Sequence, residues 1–430
     1  QLATAEEEHA TALAAIEARS DQLAALVPGR SAVLDLGQVQ ALLDKETALI
    51  SYWVLEENTE RTVAFLVTHD SLHTVTLDVS QEELTSEIDW FRQFPNTDEA
   101  YPESAVTLYN WLIAPLQDHL AAQSPDHLII IPHNVLHYLP FAALTNGERY
   151  LIDDYAITYL PSASVLQFIQ ENAAGRTPEM LLALGNPTTA DFDTTASLST
   201  ERDQLGPLPF AEQEVSAIAD LYATTAFTGS AATESLVHQQ AGETGILHLA
   251  AHGHYNPVAP LHSLIALAPD NDNDGWLTAG EVYGLDLQQA DLVVLSACQS
   301  QLGDLTAGDE LVGLTRAFFF AGTPSVIASL WSVEDEATAL LMEHFYTHLQ
   351  EGMDKAEALR QAQIEIREKY PNPYYWSAFV ISGDGGEPVS TSPSRDGPFS
   401  NLCPCASLPL ILVGLVVSLG FRTKGRRDGM

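Results

Sequence analysis

The chain has 430 residues, 58 of them acidic and 18 basic, for a formal net charge of −40. That length accommodates two compact domains with substantial cores. The charge excludes nucleic acid as a partner and suits cations or basic peptides. Three cysteines cannot build a disulfide framework, so packing alone must hold the fold.

Residues 1–28 are rich in Ala, Glu and Leu at helical spacing and stop at Pro28-Gly29, which predicts one amphipathic helix, the end of a helical-repeat array. Gln1 is not an initiator residue, so the sequence reads as a processed form or a piece of a longer chain. Alternating β-branched runs at 48–54 and 62–68 predict paired strands. Helical patterns follow at 81–93 and 103–122, then apolar strands at 127–132 and 155–161. Together, 29–175 read as a first α/β region, which lacks a thiol and so carries no cysteine chemistry. A second α/β run, 176–384, opens with a strand at 181–187, a polar loop at 188–206 and helices at 211–222 and 232–241. Buried strands are expected at 245–251, 263–268, 292–295, 325–331 and 376–381, with helices at 308–322, 334–350 and 354–369. Strands alternating with helices imply a mostly parallel sheet sandwiched by helices.

The Gly/Pro/Ser-rich stretch 385–401 reads as a linker. Residues 402–421 carry no charge and predict a C-terminal transmembrane helix, or a processed sorting segment, with a basic tail at 422–430. Basic residues stay on the cytoplasmic side, which puts the rest of the chain at the membrane or cell surface, outside the cytoplasm; a cytoplasmic placement is the alternative.

The chemistry-bearing residues lie at two strand ends. Cys298, the only cysteine in the first 402 residues, ends the apolar run 292–295 after Ser296 and Ala297. His252, 46 positions upstream, ends another apolar strand and is followed by Gly253. Open α/β sheets place their chemistry at the carboxyl ends of strands. A thiolate nucleophile with an imidazole that takes its proton is one reading of this pair; a small hydrophobe in a core strand is the other. In the first reading the Gly253 and Cys298 backbone N–H groups form an oxyanion hole. His248, inside the strand, reads as a hydrogen-bonded core histidine. A zinc site from His248, His252 and His254 lacks a cysteine or carboxylate at ligand spacing.

Residues 270–281 satisfy the calcium-loop pattern D-x-[DN]-x-[DN]-G-x₅-E. Asp270, Asp272 and Asp274 would supply carboxylates, Trp276 its carbonyl and Glu281 a closing bidentate group. The bland alternative is a solvated acidic loop.

The ordered set of stretches Leu247-His-Leu-Ala-Ala-His-Gly253, Asp274-Gly-Trp-Leu-Thr-Ala-Gly-Glu-Val-Tyr283 and Leu292-Val-Val-Leu-Ser-Ala-Cys-Gln299 resembles the CHAT-domain family of caspase-like cysteine peptidases, relatives of separase, clostripain and gingipain. The resemblance continues through Gly308 to Phe318, Ala321 to Trp331 and Tyr375 to Phe379, and it covers roughly 35–384. It implies a catalytic caspase-like domain at 176–384 preceded by a non-catalytic caspase-like half. It also implies His252 as general base, Cys298 as nucleophile, a protein or peptide substrate, and no cofactor needed for the chemistry. Relatives of this kind select the residue before the scissile bond, often Arg or Lys, with acidic pockets; Asp304, Asp309 and Asp335 are the candidates here. A non-enzymatic caspase-fold scaffold or a signalling module anchored at the cell surface is the alternative. The apolar tail is not part of the family pattern.

Overall fold

Runs of apolar residues too short for helices become the central strands, as burial on both faces requires. The computed structural model describes residues 33–55, 61–92, 103–173, 180–189, 206–254, 256, 259–296, 298–299, 309–331 and 333–386. The predicted helix at 1–28, Asp304, the linker from residue 387 on, the apolar segment 402–421 and the basic tail lie outside them. No helix among the described residues is long and apolar enough to cross a membrane.

The first region supplies strands β1 (Thr47–Val54), β2 (Thr62–Val67), β3 (Leu72–Leu77), β4 (His127–Ile131) and β5 (Ala156–Tyr159). The second supplies β6 (Leu181–Pro187), β7 (Ala226–Gly229), β8 (Ile246–Ala250), β9 (His252–His254), β10 (Leu264–Ala266), β11 (Trp276–Thr278), β12 (Leu292–Leu295), β13 (Cys298–Gln299), β14 (Ser325–Ser329) and β15 (Phe379–Gly383). Eleven strands form one sheet in the order β3-β2-β1-β4-β5-β15-β14-β12-β8-β6-β7, and four form a second in the order β11-β10-β9-β13. β15 runs parallel to β5 and antiparallel to β14, so it joins the strands of both regions into one mostly parallel sheet. Their strands point in opposite directions, and their carboxyl ends emerge at opposite edges.

Side-chain alternation along each strand splits the core into two layers. Ile246, Ala250, Leu292 and Val294 face Val215, Ile218, Leu341, Phe345 and Leu359 of the helices on one side. Leu247, Leu249, Val293 and Leu295 face Val237, Ala317, Phe318 and Phe319 on the other. This is the α/β sandwich the strand–helix alternation predicts. The structure revises two predicted elements and adds edge strands. The helix expected over 103–122 breaks near Pro115, which sits in a short 3₁₀ turn, Ala114–Leu116, between Glu103–Leu112 and Gln117–Gln123. The strand expected at 376–381 begins only at Phe379, because Asn372 caps a helical turn, Pro373–Trp376, ahead of it. The edge strands β3 and β7 escape prediction: β3 alternates exposed and half-buried positions until its buried last residue, Leu77, and β7 is half-buried throughout, so neither carries a strong apolar run.

Lys355, fully buried at the start of helix Lys355–Lys369, ties the sheet together from one end. Its ammonium reaches Asp291, just ahead of β12, at 3.3 Å and Asp384, just past β15, at 3.0 Å. Gly383, just before Asp384, has φ +102, and a Cβ there would collide with the Pro324 carbonyl, so only glycine fits.

Candidate active site

β8 and β12 are parallel neighbours with Leu249 opposite Leu295. Each continues three residues past that pair into the smaller sheet, where β9 and β13 keep the same register and Cys298 lies directly opposite His252. Neighbouring strands are about 4.8 Å apart. The backbone therefore sets the two sequence-selected residues side by side at the carboxyl edge of the second region. Gly253 follows His252 and faces Gln299 across the same pairing.

His252 is half-buried, and its Nε2 lies 2.7 Å from the Gly206 carbonyl oxygen. A carbonyl only accepts, so Nε2 carries the proton and Nδ1 keeps the lone pair. That tautomer makes Nδ1 the nitrogen able to take a thiol proton. Gly206 ends the polar loop and has no sequence signature that marks it as the orienting group.

His248 is buried in the core, as expected. Its Nδ1 is 2.9 Å from the Tyr346 hydroxyl. Its Nε2 is 2.8 Å from Glu214 Oε1, an approach too bent to count as a hydrogen bond. Burial, then Tyr222 and Glu214, hold the Tyr346 hydroxyl well above its ordinary pKa. Among the described residues, His248, His252 and His254 do not converge on a point where an ion could sit.

Of the predicted pocket residues, Asp304 lies outside the described residues, and Asp309 opens helix Asp309–Ala321. Asp335 opens helix Asp335–Gln350 and lines a small pocket with Glu214, Ser296, Ser329, Thr338 and Phe379. Burial and then the neighbouring Glu214 push the Asp335 carboxyl above the usual carboxylate range, while His252 draws it down. Glu214 is a functional candidate that the sequence reading passed over. It sits on the buried face of helix Pro209–Leu221 beside Val215 and Ile218, and a charge on an apolar stripe is the signal that could have found it. A larger, mostly apolar pocket opens between β5, β14 and β15; its charged group is Arg316, the wrong sign for lysine or arginine.

The acidic stretch 270–281 starts in the hairpin connection between β10 and β11, passes through β11 and ends in the helical turn Ala279–Val282. Asp270 Oδ1 accepts from the Asp272 and Asn273 amides and from Ser235 Oγ. Asp274 Oδ1 accepts from the Trp276 amide, and Trp276 itself pairs with Ala266. Glu281 folds back onto Thr278 in a capping box, at 2.8 Å from its amide and 2.6 Å from its hydroxyl. Gly275, at φ +88, donates to the buried Glu234 at 2.8 Å. No three of these carboxylates lie within ligand distance of one another among the described residues.

A three-layer α/β sandwich with a cysteine and a histidine paired across adjacent strand ends defines a caspase-like architecture. The CHAT-domain family model matches residues 102–384, and the chain belongs to that family. Tetratricopeptide repeat protein 28 of Homo sapiens is 26% identical over 325 residues, covering 64% of this chain and 13% of that protein. Its Mus musculus counterpart is 26% identical over 330 residues, with 64% and 13% covered. The chain thus spans about an eighth of the length of these relatives. A chain of the Saccharomyces cerevisiae separase–securin complex superposes with a TM-score of 0.51 at 10% identity, covering 81% of this chain and 30% of that one. That likeness supports the fold.

Proposed function

We propose that the chain is a cysteine endopeptidase, and the register that sets Cys298 against His252, with Gly206 fixing the imidazole, carries this reading. His252 Nδ1 takes the thiol proton as sulfur attacks the scissile carbonyl. The Gly253 and Cys298 amides receive the oxyanion. The tetrahedral adduct collapses to a thioester as His252 returns the proton to the leaving amine. Water, deprotonated by the same imidazole, then attacks the thioester and releases the acid and the free thiol.

A basic side chain before the scissile bond is the preferred substrate. The pocket beside Ser296 holds two carboxylates, Glu214 and Asp335, and a buried carboxylate without a full set of partners is costly. A guanidinium seated there supplies the missing donors in charge-assisted hydrogen bonds. Fluorogenic peptides ending in Arg or Lys are expected to be cleaved and Asp-terminated ones spared. Asp335→Asn should lower kcat/KM for the Arg peptide at least ~100-fold, the order of loss for an unpaired buried charge. Cleavage of the Asp peptide in preference to the Arg peptide would reverse the specificity assignment. No cleavage of any peptide by the folded protein would favour the scaffold reading. The tetratricopeptide repeats in the relatives' name support a helical-repeat region as the element that presents substrate.

Calcium at 270–281 requires Glu281 to leave its capping box, so binding there would rearrange the hairpin. Millimolar calcium should then raise the melting temperature, and Asp272→Ala with Glu281→Ala should cancel the rise. A melting temperature indifferent to calcium and EDTA would mean that the loop is closed by its own amides.

A further inference from the structure

We infer that His344, His348 and Glu365 form a binding site for a borderline divalent transition metal of the zinc class, separate from the dyad. His344 and His348 sit four apart on helix Asp335–Gln350 and therefore share one face. Glu365 projects from the neighbouring helix Lys355–Lys369. The three ligand atoms all lie within 4.8 Å of one another, the only such group among the described residues. His344 Nδ1 contacts Glu365 Oε2, so it carries a proton that the ion would displace, and His348 Nε2 lies 3.3 Å from Glu365 Oε1. Ligands at about 2.0–2.1 Å around a tetrahedral ion stand about 3.3–3.4 Å apart, which the His348–Glu365 separation matches.

A second observation points the same way. His348 Nδ1 lies 3.1 Å from Glu351 Oε2, and a carboxylate can only accept, so Nδ1 carries the proton. In the neutral imidazole Nε2 then keeps its lone pair, and that atom is buried without a hydrogen-bond partner. A carboxylate holding one imidazole nitrogen while the other faces the ion is the usual support of a metal-bound histidine. His344 and Glu365 are each about 40% exposed, which leaves an entry path.

The site differs from the H-E-x-x-H of metallopeptidases. Phe345 occupies the position of the catalytic glutamate and is fully buried. With no general base, the ion would bind structurally and clamp the two helices. Along helix Asp335–Gln350 the pair lies roughly 14–20 Å from Asp335, at 1.5 Å per residue, so the clamp braces the helix whose first turn lines the specificity pocket.

Zinc alone, added to the metal-free full chain in a cysteine-free background (Cys298→Ala, Cys403→Ser, Cys405→Ser), should bind one equivalent with Kd on the order of a micromolar or tighter. Bound zinc should raise the melting temperature by a few degrees. Cobalt in its place should give visible d–d absorption. His348→Gln and Glu365→Gln should each weaken binding at least ~10-fold and remove the cobalt spectrum while the zinc-free melting temperature stays within a few degrees of the parent. Glu351→Gln should weaken it less. Zinc affinity equal in parent, His348→Gln and Glu365→Gln would overturn the site, as would failure of the parent to bind.

Discussion

Cys298→Ala is expected to lower peptide cleavage by at least about 10⁴-fold while leaving the melting temperature nearly unchanged, because removing a nucleophile abolishes covalent catalysis and one sulfur adds little packing. His252→Ala should fall nearly as far, and the double variant hardly further, since two groups acting in one step are not additive. The informative control is His248→Ala. That side chain is buried and holds Tyr346 at 2.9 Å. Its loss should cost about 2–4 kcal/mol of stability by opening a cavity and leaving the tyrosine hydroxyl without its partner, with a smaller effect on turnover per folded molecule. Labelling by a thiol-directed inhibitor should vanish in Cys298→Ala once Cys403 and Cys405 are also replaced. Turnover surviving in His252→Ala but not in His248→Ala would move the base to the wrong strand position for this site.

Those residues were legible because each is marked twice in the text, by a short apolar strand and by what ends it. β8 and β12 bury every residue, and such runs read plainly as central strands. The smaller sheet was not legible in the same way. β9 and β11 have three residues and β13 two, too few for any periodicity to register. Trp276–Thr278 lies inside what reads as a calcium loop and also pairs with β10, a tertiary pairing that the local motif does not announce. The orienting carbonyl of Gly206 could not be read at all, since a backbone oxygen has no sequence signature and its partner is 46 residues away. Glu214 and Lys355 are intermediate cases. Each is a charge at the spacing of buried neighbours, Glu214 with Ala211, Val215 and Ile218, and Lys355 with Leu359, Ala362 and Ile366. An amphipathic reading sorts such residues to the surface by type, when their position assigns them inward.

Lys355→Met should be the most destabilising single change outside the site, by about 3–5 kcal/mol, the range found when one partner of a buried ion pair is removed. Its ammonium is wholly shielded, and the two carboxylates it serves are only 12% and 18% exposed, so water cannot replace it. With the lysine gone, Asp291 and Asp384 are left as two like charges facing the same space. The consequence reaches the site, because Asp291 begins the strand that delivers Cys298 and Asp384 follows the strand that joins the two regions. Urea unfolding should show a lower midpoint with an unchanged slope, the mark of lost stability without a changed unfolded state. Adding Asp291→Asn and Asp384→Asn to Lys355→Met should recover much of the loss, since a buried triad replaced as a whole is often close to neutral. If Lys355→Met unfolds at the same midpoint as the parent, the triad contributes nothing, and apolar packing of the helix start must hold this end of the sheet alone.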